Sequence, residues 1–233
     1  MATLRTGIEW IDTFPPGPCN QADLGSNNSD DPEDFQNALA AAGHTSVFNW
    51  GDTNAWETDF RNPDFGGDSL NWTDNVHFCY FSDHGGNWDN TFNIAFAAQH
   101  DNCLASSTQW RLGVKSLKWI VFDTCDLVLD TSVGSLVQWF GPMQGVHIVF
   151  GFVGLAGDDS GRGASFGADA ASGAALSNAW LDDAIASGNN QTAIAIAAGA
   201  TQSEAILRRD TETISNRDWD VTSSDWIAWK WHS

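Results

Sequence analysis

Lysine is nearly missing. Three lysines and seven arginines face thirty aspartates and glutamates across 233 residues, leaving a formal charge of −20. A field of that sign repels phosphate backbones and anionic lipid, so nucleic acid and anionic membrane surfaces are set aside as partners. Cationic or neutral partners fit better. Acidity of this kind also suits solvation in a salty or extracellular setting. No apolar run approaches the roughly 18 residues of a membrane span. No charged start followed by an apolar stretch is seen, so no signal peptide is expected, and the compartment stays open between cytoplasm and a salty exterior.

Other absences narrow the chemistry. The four cysteines (Cys19, Cys79, Cys103 and Cys125) contain no CxxC pair, which excludes a zinc ribbon or thioredoxin-type motif. Four are too few for a disulfide framework at this length. One bridge, with Cys19 to Cys103 as the candidate, stays open. Cys79 lies inside an apolar run, too far from Cys125 to bridge to it, and is read as core. No two histidines share metal-ligand spacing, and His77 and His147 are read as structural. The stretch GRGASFG at 161–167 lacks the Lys-Ser/Thr ending of a phosphate loop. The stretch NNSDDPED at 27–34 offers oxygen ligands for Ca²⁺ without the DxDxDG spacing, and helix capping is the competing use. No other cofactor is expected. No internal repeat is found.

What is present argues for one folded domain. Hydrophobic residues make up 42% and aromatics 12% of the chain, enough to build a core. Short apolar runs at 4–11, 44–50, 76–82, 117–122, 146–154 and 192–198 read as strands. Helical stretches are expected at 33–42, 55–60, 132–140 and, as one long Ala-rich helix ended by Gly188, at 164–186. Residues 87–110 read as a hairpin or covering loop. Strands of four to eight apolar residues separated by helices predict an α/β fold: a mostly parallel central sheet with helices on both faces. The expected unit is a single domain over 1–233, with the aromatic segment 211–233 packed on it as a strand.

Two strand ends carry chemistry. One apolar run ends in Asp83-His84-Gly85, the other in Asp123-Thr124-Cys125. In an open parallel sheet the carboxyl ends of neighbouring strands converge on one crevice. There an imidazole can take the proton of a thiol that is otherwise mostly protonated. The backbone N–H of Gly85, unobstructed by a side chain, can approach an oxyanion. Asp83, Asp123 and Asp126 surround this pair. They read as an acidic substrate pocket for Lys or Arg, as a carboxylate orienting His84, or as a solvated rim.

The blocks HFCYFSDHGG (77–86), KWIVFDTCDL (118–127) and HIVFGF (147–152) resemble the caspase-like cysteine peptidases, a group that includes gingipain, legumain, clostripain and separase. The likeness covers roughly residues 76–155. The segments IEW, FNWGDTNAWETDF and ALSNAW are also similar to a family of uncharacterised microbial proteins with the same His-Gly and Cys pattern. The resemblance implies a caspase/gingipain-like topology. It implies His84 as general base, Cys125 as nucleophile, and the amides of Gly85 and Cys125 as oxyanion hole. A peptide or protein substrate is implied as partner. The chain departs from the group at Thr124, at Asp123, and in having no Gly soon after Cys125. Two other readings stand beside this one. One is a non-catalytic binding or assembly module on the same scaffold. The other is a carbohydrate binder using some of the thirteen tryptophans.

Overall fold

The computed structural model describes residues 3–100, 102–157, 160–186, 191–215 and 221–232. Apolar side chains alternate along the central strands. Phe78 and Tyr80 face one side and Cys79 and Phe81 the other; Trp119 and Val121 oppose Ile120 and Phe122 in the same way. A strand buried on both faces must be covered twice, and the chain does so with two different layers.

The main sheet has seven strands. They are β1 (Arg5–Trp10), β2 (Thr45–Gly51), β3 (Phe78–Ser82), β7 (Trp119–Asp123), β8 (Ile148–Val153), β9 (Thr192–Gly199) and β10 (Trp226–His232). Their spatial order is β10-β9-β8-β7-β3-β1-β2. The five strands from β2 to β8 are parallel, and β9 and β10 run antiparallel to their neighbours. The sheet is therefore mixed but mostly parallel. All six expected strands are present. The aromatic tail is the edge strand β10; Trp219, counted with that segment, lies outside the described residues.

The expected helices are divided unequally between the faces. On one face lie α1 (Asn27–Ala41), α3 (Arg162–Ser172) and α4 (Leu176–Asp183), packing Phe35, Leu39, Phe166 and Trp180 on the sheet. The other face is covered by a three-stranded antiparallel sheet of β4 (Gly85–Trp88), β5 (Thr91–Ala95) and β6 (Leu104–Ser106), with single helical turns and the four-residue α2 (Val133–Leu136). Phe92, Ile94, Trp110 and Trp139 form the core there. The region read as a hairpin or covering loop is thus a small sheet that covers this face, where helices were expected on both faces.

Two helix boundaries differ from the sequence reading, each for a physical reason. The helix expected from residue 33 begins at Asn27 and carries Pro32 inside it. Proline there removes one backbone hydrogen bond. Tertiary bonds hold the early turn instead: Asn28 Nδ2 donates to the carbonyls of Ile11 (2.6 Å) and Ser82 (2.9 Å), and Ser29 Oγ donates to Asp12 (2.8 Å). The long helix expected over 164–186 is two helices. Gly173, at φ +90°, ends α3 in the left-handed conformation, its amide bonded to Ala170 and that of Ala174 to Asp169. Gly188, the expected terminator, lies outside the described residues. One further helix, α5 (Gln202–Thr211), was not foreseen. Its start is signalled by Thr201, whose Oγ1 accepts the Glu204 amide (3.2 Å), and by Glu204, whose Oε2 accepts the Ala200 amide (2.9 Å).

Candidate functional site

The chain runs from β1 outward to β2 and then returns to the other side of β1 as β3, so the connections diverge between β1 and β3. Crevices form at the carboxyl ends of strands at such a point. A cleft of about 420 Å³ opens there, lined by Asp31, Asp83, His84, Cys125, Ala156 and Arg162 among others. Asn28 staples its edge by bonding the ends of both β1 and β3, and Ser82 Oγ donates back to it.

Ser82 and Asp123 are paired in the β3–β7 register. Two residues beyond them stand His84 after β3 and Cys125 after β7. The two segments are in close contact. A Cβ added at Gly85 would lie 2.4 Å from Thr124 Oγ1 and 2.7 Å from the Cys125 carbonyl oxygen, so only glycine fits between the strand ends. Beyond this point Gly85 leaves the main sheet and pairs with Ile94 in the small one.

His84 is half-buried, with its ring 5.6 Å from that of Phe14. Its Nε2 lies 2.8 Å from the carbonyl oxygen of Ala22. A carbonyl only accepts, so Nε2 carries the hydrogen in the neutral ring and Nδ1 keeps its lone pair. Sequence reasoning missed Ala22, because a backbone carbonyl leaves no residue-type signal. Its loop is fixed by the amides of Leu24 and Gly25 on the carbonyl of Asp12, and by the Cys19–Cys103 disulfide. The bridge left open by the cysteine count is therefore formed.

Cys125 is the half-buried free cysteine, while Cys79 is fully buried and inert to solvent. The Cys125 sulfur accepts the amide of Ala156 at 3.4 Å and lies 3.9 Å from the carbonyl oxygen of the same residue. The three expected carboxylates part company. Asp83 lines the cleft, is 3% exposed and has no side-chain partner; burial raises its pKa well above the carboxylate range. Asp123 also lines the cleft, but it accepts from Tyr80 Oη (2.8 Å) and pairs with Arg162. It anchors the floor and presents no free charge to a substrate. Asp126, at φ +56°, turns away with its amide on the Gly154 carbonyl (2.6 Å), and it is not among the cleft-lining residues.

Sequence reasoning missed Arg162 and Asp31. Asp31 Oδ1 accepts the amides of Gly161 (3.0 Å) and Gly163 (2.9 Å), joining α1 to the start of α3. Burial first, then Asp123, pushes the Asp31 carboxyl up. Burial pulls the Arg162 guanidinium down, yet Asp123, Tyr80 and Asp31 hold it above its usual range. Arg162 also donates to the Gly157 carbonyl (2.8 Å) and lies over the Phe152 ring. The acidic stretch once weighed for Ca²⁺ is the first half of α1, with Asp31 spent on these contacts. Among the described residues no group of three His, Cys, Asp or Glu side chains is placed to hold a metal ion. His77 and His147 have structural partners: His77 Nδ1 accepts the Arg5 amide (2.9 Å), and His147 Nδ1 lies 2.6 Å from Glu212.

A family model described as "Domain of unknown function (DUF6345)" matches residues 8–231. The chain belongs to that family. The match takes in both strand ends and the whole cleft of this DUF6345 domain. No curated protein matches the chain. Among the described residues no helix of the DUF6345 domain is long and apolar enough to cross a membrane.

Proposed function

We propose that the DUF6345 cleft is the active site of a cysteine-dependent peptidase or amide hydrolase. The observation that carries this reading is the meeting of His84 and Cys125 in one cleft, with Nδ1 of His84 left as the basic nitrogen. The strand order is a second support. A parallel set in the order β2-β1-β3-β7-β8 followed by an antiparallel strand, with His and Cys closing β3 and β7, fits the caspase-like topology.

The step balances as follows. The Cys125 S–H proton moves to His84 Nδ1, and the sulfur attacks the amide carbon to form a C–S bond. The tetrahedral oxyanion is met by the amides of Gly85 and Cys125. Collapse breaks the C–N bond, and the leaving amine takes the proton from His84. Water, deprotonated by the same nitrogen, hydrolyses the thioester.

The domain's −20 draws cations toward the cleft. Substrates with a Lys or Arg beside the scissile bond are favoured. A structural disulfide persists in an oxidising compartment, which supports a working location outside a reducing cytosol. A peptide library assayed with wild type and Cys125→Ala tests the mechanism. Turnover by wild type alone is expected; equal turnover by both removes Cys125 as nucleophile.

A further inference from the structure

A second pocket of about 410 Å³ opens away from the Cys125 cleft, lined by Trp50, Asn54, Trp56, Asp59 and Trp72. We propose that it binds an organic cation, an alkylated ammonium group, carried either by a free amine or by a peptide side chain.

The walls are aromatic and meet as a corner. The Trp50 and Trp72 rings are 5.7 Å apart at 78°, and Trp56 is 38% exposed at the mouth. Trp56 is held by stacking on His100 (4.1 Å, 10°) and by its indole N–H on the Thr53 carbonyl (3.0 Å). Perpendicular indoles suit a compact cation, which is drawn to ring faces from several sides. A sugar ring prefers a flat platform, and the 78° angle between these two indoles does not provide one.

The floor is a carboxyl group. Asp59 is 3% exposed, and its Oδ1 has no hydrogen-bond partner although it lines an open pocket. A buried, half-satisfied carboxylate is costly, and a bound cation would remove that cost. Behind it sits Glu9, fully buried and without a side-chain partner, on the strand position paired with Trp50. The other charges around Asp59 are Glu57, which pairs with Arg61 (3.3 Å), and Asp68, which accepts from Asn71 (2.6 Å). Cys79 faces the same acids from β3, and His100 stacks outside on Trp56. Burial lifts Asp59 to about 7, against the pull of the Trp56 amide. Cation binding therefore strengthens as pH rises through that value, because the ionised floor is the form that binds.

The test is calorimetric titration of the full chain with choline, a trimethyllysine peptide, the matching lysine peptide, cellobiose, and 3,3-dimethylbutan-1-ol, the neutral isostere of choline. Binding of a trimethylammonium probe about tenfold tighter than the isostere is expected. Trp56→Ala and Asp59→Asn should each weaken it by about tenfold. Trp56→Ala removes an exposed ring, so its circular dichroism should match wild type. Cys125→Ala should bind as wild type, which separates this pocket from the hydrolase reading. Tighter binding of the trimethyllysine peptide assigns the cation to a side chain, and tighter binding of choline assigns it to a free amine. Equal binding of isostere and choline, binding of cellobiose alone, or no heat with any probe overturns the proposal.

Discussion

Ala22 and His84 are joined by a 2.8 Å contact between a backbone carbonyl and Nε2. That contact fixes which imidazole nitrogen is basic. It also ties the site to the loop after β1, and through Cys19 to Cys103 at the start of β6. The loop is thus part of the site even though none of its side chains is asked to react.

Reduction of the disulfide is the first prediction. The bridge closes a segment of 84 residues. Losing it should lower stability by about 2–4 kcal/mol, read as an earlier urea midpoint for Cys19→Ser/Cys103→Ser. Activity should fall before the fold does, since the Ala22 carbonyl loses its anchor. Full activity in the reduced protein at temperatures where it is folded would detach the loop from the mechanism.

Gly85→Ala should damage site and fold together. The added Cβ meets both Thr124 and the Cys125 carbonyl. Strain of this kind costs about 1–3 kcal/mol. Adding Thr124→Ala should not restore activity, because the Cys125 carbonyl stays at 2.7 Å from the new atom. Recovery in the double variant would show that the strand ends can move apart harmlessly.

Arg162→Met leaves Asp123 and Asp31 buried without their cation. Loss of one partner from a buried pair costs about 3–5 kcal/mol. Chemical denaturation should show it. Arg162→Lys should recover only part, since lysine cannot bond Asp123 and the Gly157 carbonyl in one plane. A stable Arg162→Met protein would mean that Asp123 and Asp31 are neutral in the fold.

Stability should fall as pH rises from 5 to 8. Burial pushes Asp59 and Asp74 up to about 7, and Asp31 is raised as well. A carboxyl with a raised folded pKa holds its proton more tightly folded than unfolded. Its stabilisation is complete below the unfolded value of about 4 and is lost as pH climbs through the folded one. Summed over these groups, Tm should drop by on the order of 15 °C between pH 5 and 8. A Tm that is flat or rising over that range contradicts the assignment.

The strands were legible because burial on both faces writes continuous apolar runs, as in HFCYFS and WIVF. The His84 and Cys125 strand ends followed from those runs. The early start of α1 was hidden because Pro32 reads as a first helical residue, and only the bonds of Asn28 and Ser29 across the fold override it. The small sheet over 85–106 was legible only as a hairpin or covering loop, because its polar and aromatic residues alternate without a clear period. Asp123 looked like a free acid because its partner Arg162 is 39 residues away in sequence. Long-range pairing and backbone carbonyls leave no local trace.

The most direct test of the account is covalent labelling at neutral pH with a peptidyl acyloxymethyl ketone bearing Lys or Arg, followed by intact mass and peptide mapping. One adduct is expected, on Cys125, formed about 100-fold more slowly in His84→Ala and absent in Cys125→Ala. No adduct on folded wild type, or equal rates with and without the imidazole, would contradict it.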